Sequence, residues 1–267
     1  MTQHKNKINM KKALLLIPAF AIAAGFSSCK KEDSAGTDGE VISVSSRYKP
    51  VMFEYSATWC NPCGVYGYPA IHGLLEEYKH QITAVLMHPN DGIVDIEPAG
   101  MEDIIDFFGF SGTPSSAVNA GPDTYPTYLE PKITQALTAN PTAKAGVGIA
   151  HKVEGNNFVV TTKTVFFEQV SGNYNLAVYM VENGIMETQS GQTGEVPFDH
   201  ILRACADGKA FGVSVAANPE KGFKIDNTFT IAIPNDVRNK ENLQVVAVIY
   251  KMGTDGNPTD VLNSNMY

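Results

Sequence analysis

Apolar and polar positions follow two rhythms along this chain, and the rhythm changes near residue 142. Residues 51–56 (Val-Met-Phe-Glu-Tyr-Ser) form a short apolar and aromatic run with the length and composition of a buried strand. From Cys60 to about Lys79, Val65, Tyr68, Ile71, Leu74, Leu75 and Tyr78 recur at helical spacing. A second strand is predicted at 82–87, an amphipathic stretch at 101–108, a third strand at 115–119 and a helical pattern at about 127–138. Beyond Ala139-Asn140-Pro141-Thr142 the runs become strand-like, at 146–152, 157–167, 174–181, 211–216, 227–233 and 243–251. Turn formers such as Ser171-Gly172-Asn173 and Pro234-Asn235-Asp236 separate them. Short strands at this spacing predict an antiparallel β-sandwich of immunoglobulin-like kind, interrupted by a long segment at 183–210.

The N-terminus changes the picture. Lys5, Lys7, Lys11 and Lys12 precede an apolar run at 13–26. That run is short of the roughly 20 residues a bilayer span needs, so it reads as a signal-peptide core. Phe26-Ser27-Ser28-Cys29 follows and resembles the lipobox of bacterial lipoproteins, which implies a signal peptide at 1–28 and a lipid on Cys29. Residues 29–44 are expected to be a flexible tether, because 30–40 carry no large apolar side chain. The net charge of −8 becomes −12 once 1–28, with four Lys and no acid, are removed (16 basic against 28 acidic side chains). An acidic surface of this kind lacks the clustered Lys and Arg that phosphate binding needs, so no nucleic-acid partner is expected.

Three cysteines remain. Cys60 and Cys63 form a C-x-x-C pair, and Cys205 stands alone among small and apolar neighbours, as a buried thiol does. A zinc site would want a second Cys pair or well-spaced His residues; His72 and His80 follow, but no further Cys lies nearby, so no metal is expected. A Cys at a helix start faces unpaired N–H groups and the positive end of the helix dipole, which favour thiolate. Such a thiolate attacks a disulfide, and a Cys three residues later resolves the mixed disulfide. Pro62 fits the first turn, where a missing N–H is harmless.

With Glu54-Tyr55-Ser56-Ala57-Thr58-Trp59-Cys60-Asn61-Pro62-Cys63 and, some fifty residues on, Phe108-Gly109-Phe110-Ser111-Gly112-Thr113-Pro114-Ser115, the segment 45–142 resembles thioredoxin. The resemblance implies an α/β thioredoxin-like domain with Cys60 as nucleophile, Cys63 as resolving thiol and Glu54 as a buried proton acceptor. It also implies a cis Thr113–Pro114 bond, with Trp59 and Thr113 beside an incoming peptide and Pro114 as the docking element. Pro69 resembles the family's helix-kinking proline but lies one residue farther from Cys63, implying a small insertion. The family's lysine near the buried acid is replaced within Ala84-Val85-Leu86-Met87, and 88–107, which includes His88-Pro89-Asn90-Asp91, is a longer link.

A lipoprotein signal, a thioredoxin-like segment and then a β-rich segment (143–267) bearing Asp199-His200-Ile201-Leu202-Arg203 is similar to the outer membrane protein twenty-eight-related lipoproteins. That resemblance implies an envelope location, at the outer membrane. Asp199, His200 and Arg203 resemble a catalytic set but have no nucleophile beside them in the sequence, and a structural cluster is the expectation. No phosphate-binding loop, dinucleotide fingerprint, zinc-protease motif or nucleophile elbow is present.

Two functions compete. One is a lipid-anchored thiol-disulfide oxidoreductase acting on protein thiols or disulfides in the envelope, needing no cofactor. The other is a non-catalytic binding or assembly lipoprotein on a repurposed fold. An exposed Cys60 beside a cis Thr113–Pro114 favours the first, and a Cys60 covered by the second half favours the second.

Overall fold

The computed structural model describes residues 41–267. The expected signal peptide, the expected lipid attachment at Cys29 and the expected tether up to residue 40 lie outside the described residues. Strand β1 (Val51–Tyr55) is buried along almost its whole length, as an unbroken apolar run requires. The chain then turns into a helix whose first part is a wide π-helical turn, Cys63–Gly67, continuous with α1 (Tyr68–Tyr78). Tyr68 N–H donates to Cys63 O, five residues back, just ahead of Pro69, which has no N–H for the regular ladder. The wider turn takes up the extra residue expected between Cys63 and Pro69.

Strand β2 (Thr83–Met87) pairs parallel with β1, and β3 (Ser115–Val118) pairs antiparallel on the other side; α2 (Met101–Phe108) lies between β2 and β3 in sequence, and α3 (Leu129–Ala139) follows β3. Then come β4 (Ala145–Glu154), β5 (Asn157–Phe166), β6 (Asn173–Glu182), β7 (Ile185–Thr188), β8 (Glu195–Phe198), β9 (Ile201–Cys205), β10 (Val213–Ala217), β11 (Lys224–Ala232), β12 (Leu243–Met252) and β13 (Pro258–Met266). The segment 183–210, expected as an interruption, therefore holds three strands, and β13 adds one more at the end of the chain. These strands are short or rich in Asn, Ser and Thr, so their pattern is weak in the sequence.

The expected boundary at 142 and 143 is not a break in the sheet. One eight-stranded sheet runs β13-β12-β6-β9-β2-β1-β3, with β10 on β6, and so takes strands from both halves. The seam is narrow: β9 meets β2 in parallel at Leu86 and Ile201. There Leu86 N–H donates to His200 O at 2.9 Å. A three-stranded sheet, β11-β5-β4, faces β6 and β12 across a core that includes Phe158, Phe166, Leu176, Val245 and Ile249. The opposite face of β6 and β12, with Phe53 and Val85, packs against Met101, Ile104 and Phe108 of α2. On the far side of β1 and β2, Met52, Ala84 and Leu86 meet Ile71 and Leu74 of α1 and Ile133 of α3.

Residues 41–44, expected as the end of the tether, are not free. A Cβ at Gly148 would overlap Ser43 O, and one at Gly146 would overlap Ser45 O, so these glycines let 42–45 lie flat against β4. Asp199, His200 and Arg203 do not form a reactive cluster. Asp199 Oδ1 accepts from Gly184 N–H, and His200, with φ of 60°, uses its backbone to bridge Asn183 and Leu86. Arg203 is fully buried, donating to Glu182 Oε2 at 2.7 Å and to Ile93 O at 2.7 Å.

Candidate functional site

The C-x-x-C pair sits where β1 hands over to the helix. Cys60 and Cys63 are joined as a disulfide. Cys63 N–H points at Cys60 Sγ from 3.1 Å, and Gly64 N–H donates to Cys60 O at 3.3 Å. The Cys63 amide hydrogen, aimed at Cys60 Sγ at the start of the helix, stabilises negative charge there once the bond is opened. Thr113–Pro114 is cis, and Thr113 O lies 3.6 Å from Cys60 Sγ. Glu54, on β1, is buried under the same helical turn: a Cβ on Gly67 would stand 3.2 Å from Pro114 Cβ and 3.5 Å from Glu54 Oε1. The structure thus brings Cys60, Cys63, Glu54, Thr113 and Pro114 together. Trp59 projects outward, 67% exposed, at the rim.

Burial pushes the Glu54 carboxyl up to about 7, with His88 and a hydrogen bond from Ser56 acting in the opposite sense. Its Oε1 is buried with no hydrogen-bond partner. Such a group takes up and releases a proton near neutral pH, as a general acid-base must.

Three residues at the site were missed by the sequence reading. His88 is buried at the end of β2, its Nδ1 2.7 Å from Asp91 Oδ2. Asp91 also accepts from Thr58 N–H at 2.9 Å and Ile93 N–H at 3.0 Å. Burial acts to raise the Asp91 carboxyl, but these bonds and the His88 charge outweigh it and hold it below its usual range. The third is Gln189, in the loop between β7 and β8. Its Nε2 lies 3.2 Å from Ala57 O, 3.2 Å from Thr58 O and 3.0 Å from Cys60 O, more acceptors than its two hydrogens can serve at once. Ser190 N–H donates to Thr58 O at 2.7 Å, and Gln192 Nε2 to Gly64 O at 2.6 Å. A Cβ on Gly64 would overlap Ser190 O, so only glycine admits this approach. The loop belongs to the second half of the chain, and Cys60 is only 5% exposed beneath this packing. A solvent-exposed Cys60 is therefore not what the structure has. Nothing in the local pattern near 189–192 points to position 60.

Away from the site, Cys205 is a free buried thiol that burial pushes up to about 12. Among the described residues, no group of His, Cys, Asp and Glu is placed to hold a metal, and no helix is long and apolar enough to cross a membrane.

Comparison with known proteins adds two findings. The family model described as outer membrane protein Omp28 matches residues 101–265, well over half of the chain. The match begins at α2, so it includes Thr113–Pro114 but not the Cys pair. In fold the chain is similar to HBP35 of Porphyromonas gingivalis, with a TM-score of 0.64 at 18% identity, over 84% of this chain and 76% of that one. No curated protein sequence matches.

Proposed function

Because the chain belongs to the outer membrane protein Omp28 family, we propose that it is a cell-envelope protein whose Cys60–Cys63 pair exchanges disulfides with protein thiols. In this reading Cys29 carries a lipid anchor at the outer membrane. The first half is a thioredoxin-like module, supported by parallel β1 and β2, antiparallel β3 and the helix that starts at the Cys pair. The two facing sheets of the second half support an immunoglobulin-like sandwich, one sheet of which is shared with the first half.

The observation that carries the proposal is Cys60 Sγ at 3.6 Å from Thr113 O, beside the cis bond. An extended peptide hydrogen-bonded to the Thr113 backbone has its own sulfur within reach of Cys60. Cys60 is the sulfur attacked, because Cys63 is wholly buried. A substrate thiolate attacks Cys60 Sγ, the Cys60–Cys63 bond breaks, and Cys63 leaves with the electron pair and takes a proton from Glu54. A second substrate thiolate then displaces Cys60, so two electrons enter the pair and the substrate dithiol becomes a disulfide. The reverse sequence reduces a substrate disulfide, with Glu54 accepting the Cys63 proton.

The test is a thiolate titration of the reduced protein together with exchange assays on glutathione and insulin. The expected result is a Cys60 pKa below the unperturbed ~8.5 and exchange that Cys60→Ser abolishes. A Cys60 near ~8.5 with no exchange would leave the alternative, a non-catalytic binding or assembly protein. One observation favours that alternative: the β7–β8 loop lies against the motif and Cys60 is 5% exposed.

A further inference from the structure

A cavity of about 20 Å³ lies between α1 and the β8–β9 turn, with Glu54 in its lining. That volume admits a single water. Its buried polar lining is Glu54, Ser56, His88 and Gln189; Tyr68 and His72 of α1 and Asp199 of the β8–β9 turn line it as well. The wall groups are engaged elsewhere. Tyr68 donates to Pro197 O at 3.1 Å, the His72 ring packs on Tyr68 at 5.6 Å, and Asp199 holds Gly184 N–H at 2.8 Å. The other ionisable groups in the lining are Glu54 and His88, and His88 is paired with Asp91 behind it. Two contacts hold the buried His88 ring: Asp91 Oδ2 meets its Nδ1, and the Phe198 ring stands edge-on at 5.2 Å. Asp91 is itself pinned by Thr58, whose hydroxyl donates to Asp91 O at 2.6 Å, two residues from Cys60.

We propose that His88, oriented by Asp91, is the positioning residue for Glu54, facing the buried carboxyl across this cavity and setting the protonation state from which Glu54 serves Cys63. The proposal rests on the thiol-disulfide reading of the site. Asp91 Oδ2 holds Nδ1 at 2.7 Å and so fixes the ring, which lines the cavity together with Glu54. A positive charge there favours ionised Glu54, in the direction already noted for this pair. When Cys63 is to attack the mixed disulfide at Cys60, its proton passes to ionised Glu54. The new Cys60–Cys63 bond forms as the Cys60–substrate bond breaks, and the substrate sulfur leaves as thiolate. The proton on Glu54 then departs by way of the cavity. The co-reactant throughout is a protein thiol or disulfide.

The experiment follows Glu54 by its carboxyl band in infrared difference spectra, and the exchange rate against pH, in the wild type, His88→Asn and His88→Gln. Each substitution keeps a polar group near Asp91 but cannot be cationic. The expected result is a Glu54 midpoint raised by about one pH unit. The acid limb of the exchange profile should move by the same amount, which is about tenfold slower exchange below the midpoint. In the wild type, the His88 ring proton signals and the Glu54 band should share an inflection. Independent titrations in the wild type, or an unmoved Glu54 midpoint in a folded variant, overturn the role of His88 while leaving exchange intact. Absence of exchange in the wild type with coupled titrations overturns the thiol-disulfide reading instead.

Discussion

Glu54 shows how much one side chain owes to its surroundings. A carboxyl on the inner strand of a sheet loses its water, and Oε1 finds no donor in return. Its native value near 7 lies above the ordinary 4.5, so the native state holds a proton that the unfolded chain releases. Stability from this group is fully present below the lower value and is lost as pH rises through the higher one. Glu54→Gln should therefore flatten the fall in stability across that window, gaining about 3 kcal/mol relative to wild type near pH ~8 and little near pH ~4. Urea denaturation at the two pH values reads the difference; an unchanged slope would mean that Glu54 stays ionised in the fold. In the sequence, Glu54 stood out through the resemblance of 54–63 to thioredoxin. His88 and Asp91 did not, since a polar loop residue has no local feature that tells a buried ion pair from a solvated one.

At the scale of elements, the β7–β8 hairpin is the part that the sequence hid. Its strands have four residues each, and its loop reaches the Cys pair through polar contacts from Gln189, Ser190 and Gln192. Each such bond contributes about 0.5–1.5 kcal/mol, enough to hold the loop down yet little enough to let it open. Gln189→Ala should loosen it and expose Cys60, so that a small phosphine reduces the disulfide up to about tenfold faster, with the midpoint of thermal unfolding hardly moved. An unchanged reduction rate would show that the loop does not limit access. The strands and helices of the first half were legible, because buried strands and amphipathic helices carry their own periodicity. The π-helical turn was foreshadowed by Pro69, which cannot take part in a regular ladder.

The whole molecule is tied together by buried charge. Arg203 of β9 reaches Glu182 of β6, the carbonyl of Ile93 and, at 3.5 Å, Asp236 Oδ2. Asp236 in turn accepts from Asp95 and Ile96 N–H at 3.1 Å each, and Arg238 donates to Gly92 O at 2.8 Å. The loop that carries Asp91 is thus held from the second half of the chain. Arg203→Ala leaves Glu182 buried without its cation and should cost about 3–5 kcal/mol, lowering Tm by roughly 6–20 °C for a unit of this size. Replacing Arg203 and Glu182 together by Met should recover most of that loss. A small Tm change in the single variant would show that water reaches Glu182 and replaces the lost cation.

By itself the sequence determined the Cys pair at a helix start, the acid before it, the Thr113–Pro114 position and the strand-rich second half. The Cys pair and the strands are local features, set by spacing along a few residues and by the period of burial. Glu54 and Thr113–Pro114 were instead marked by the resemblance of their segments to thioredoxin. Only the tertiary structure decided that both halves share one sheet through Leu86 and Ile201, that Gln189 covers the Cys pair from 129 residues away and that Arg203 holds the Asp91 loop. Those contacts join segments far apart in the chain, and polar groups meet there only because burial of the apolar faces brings them together.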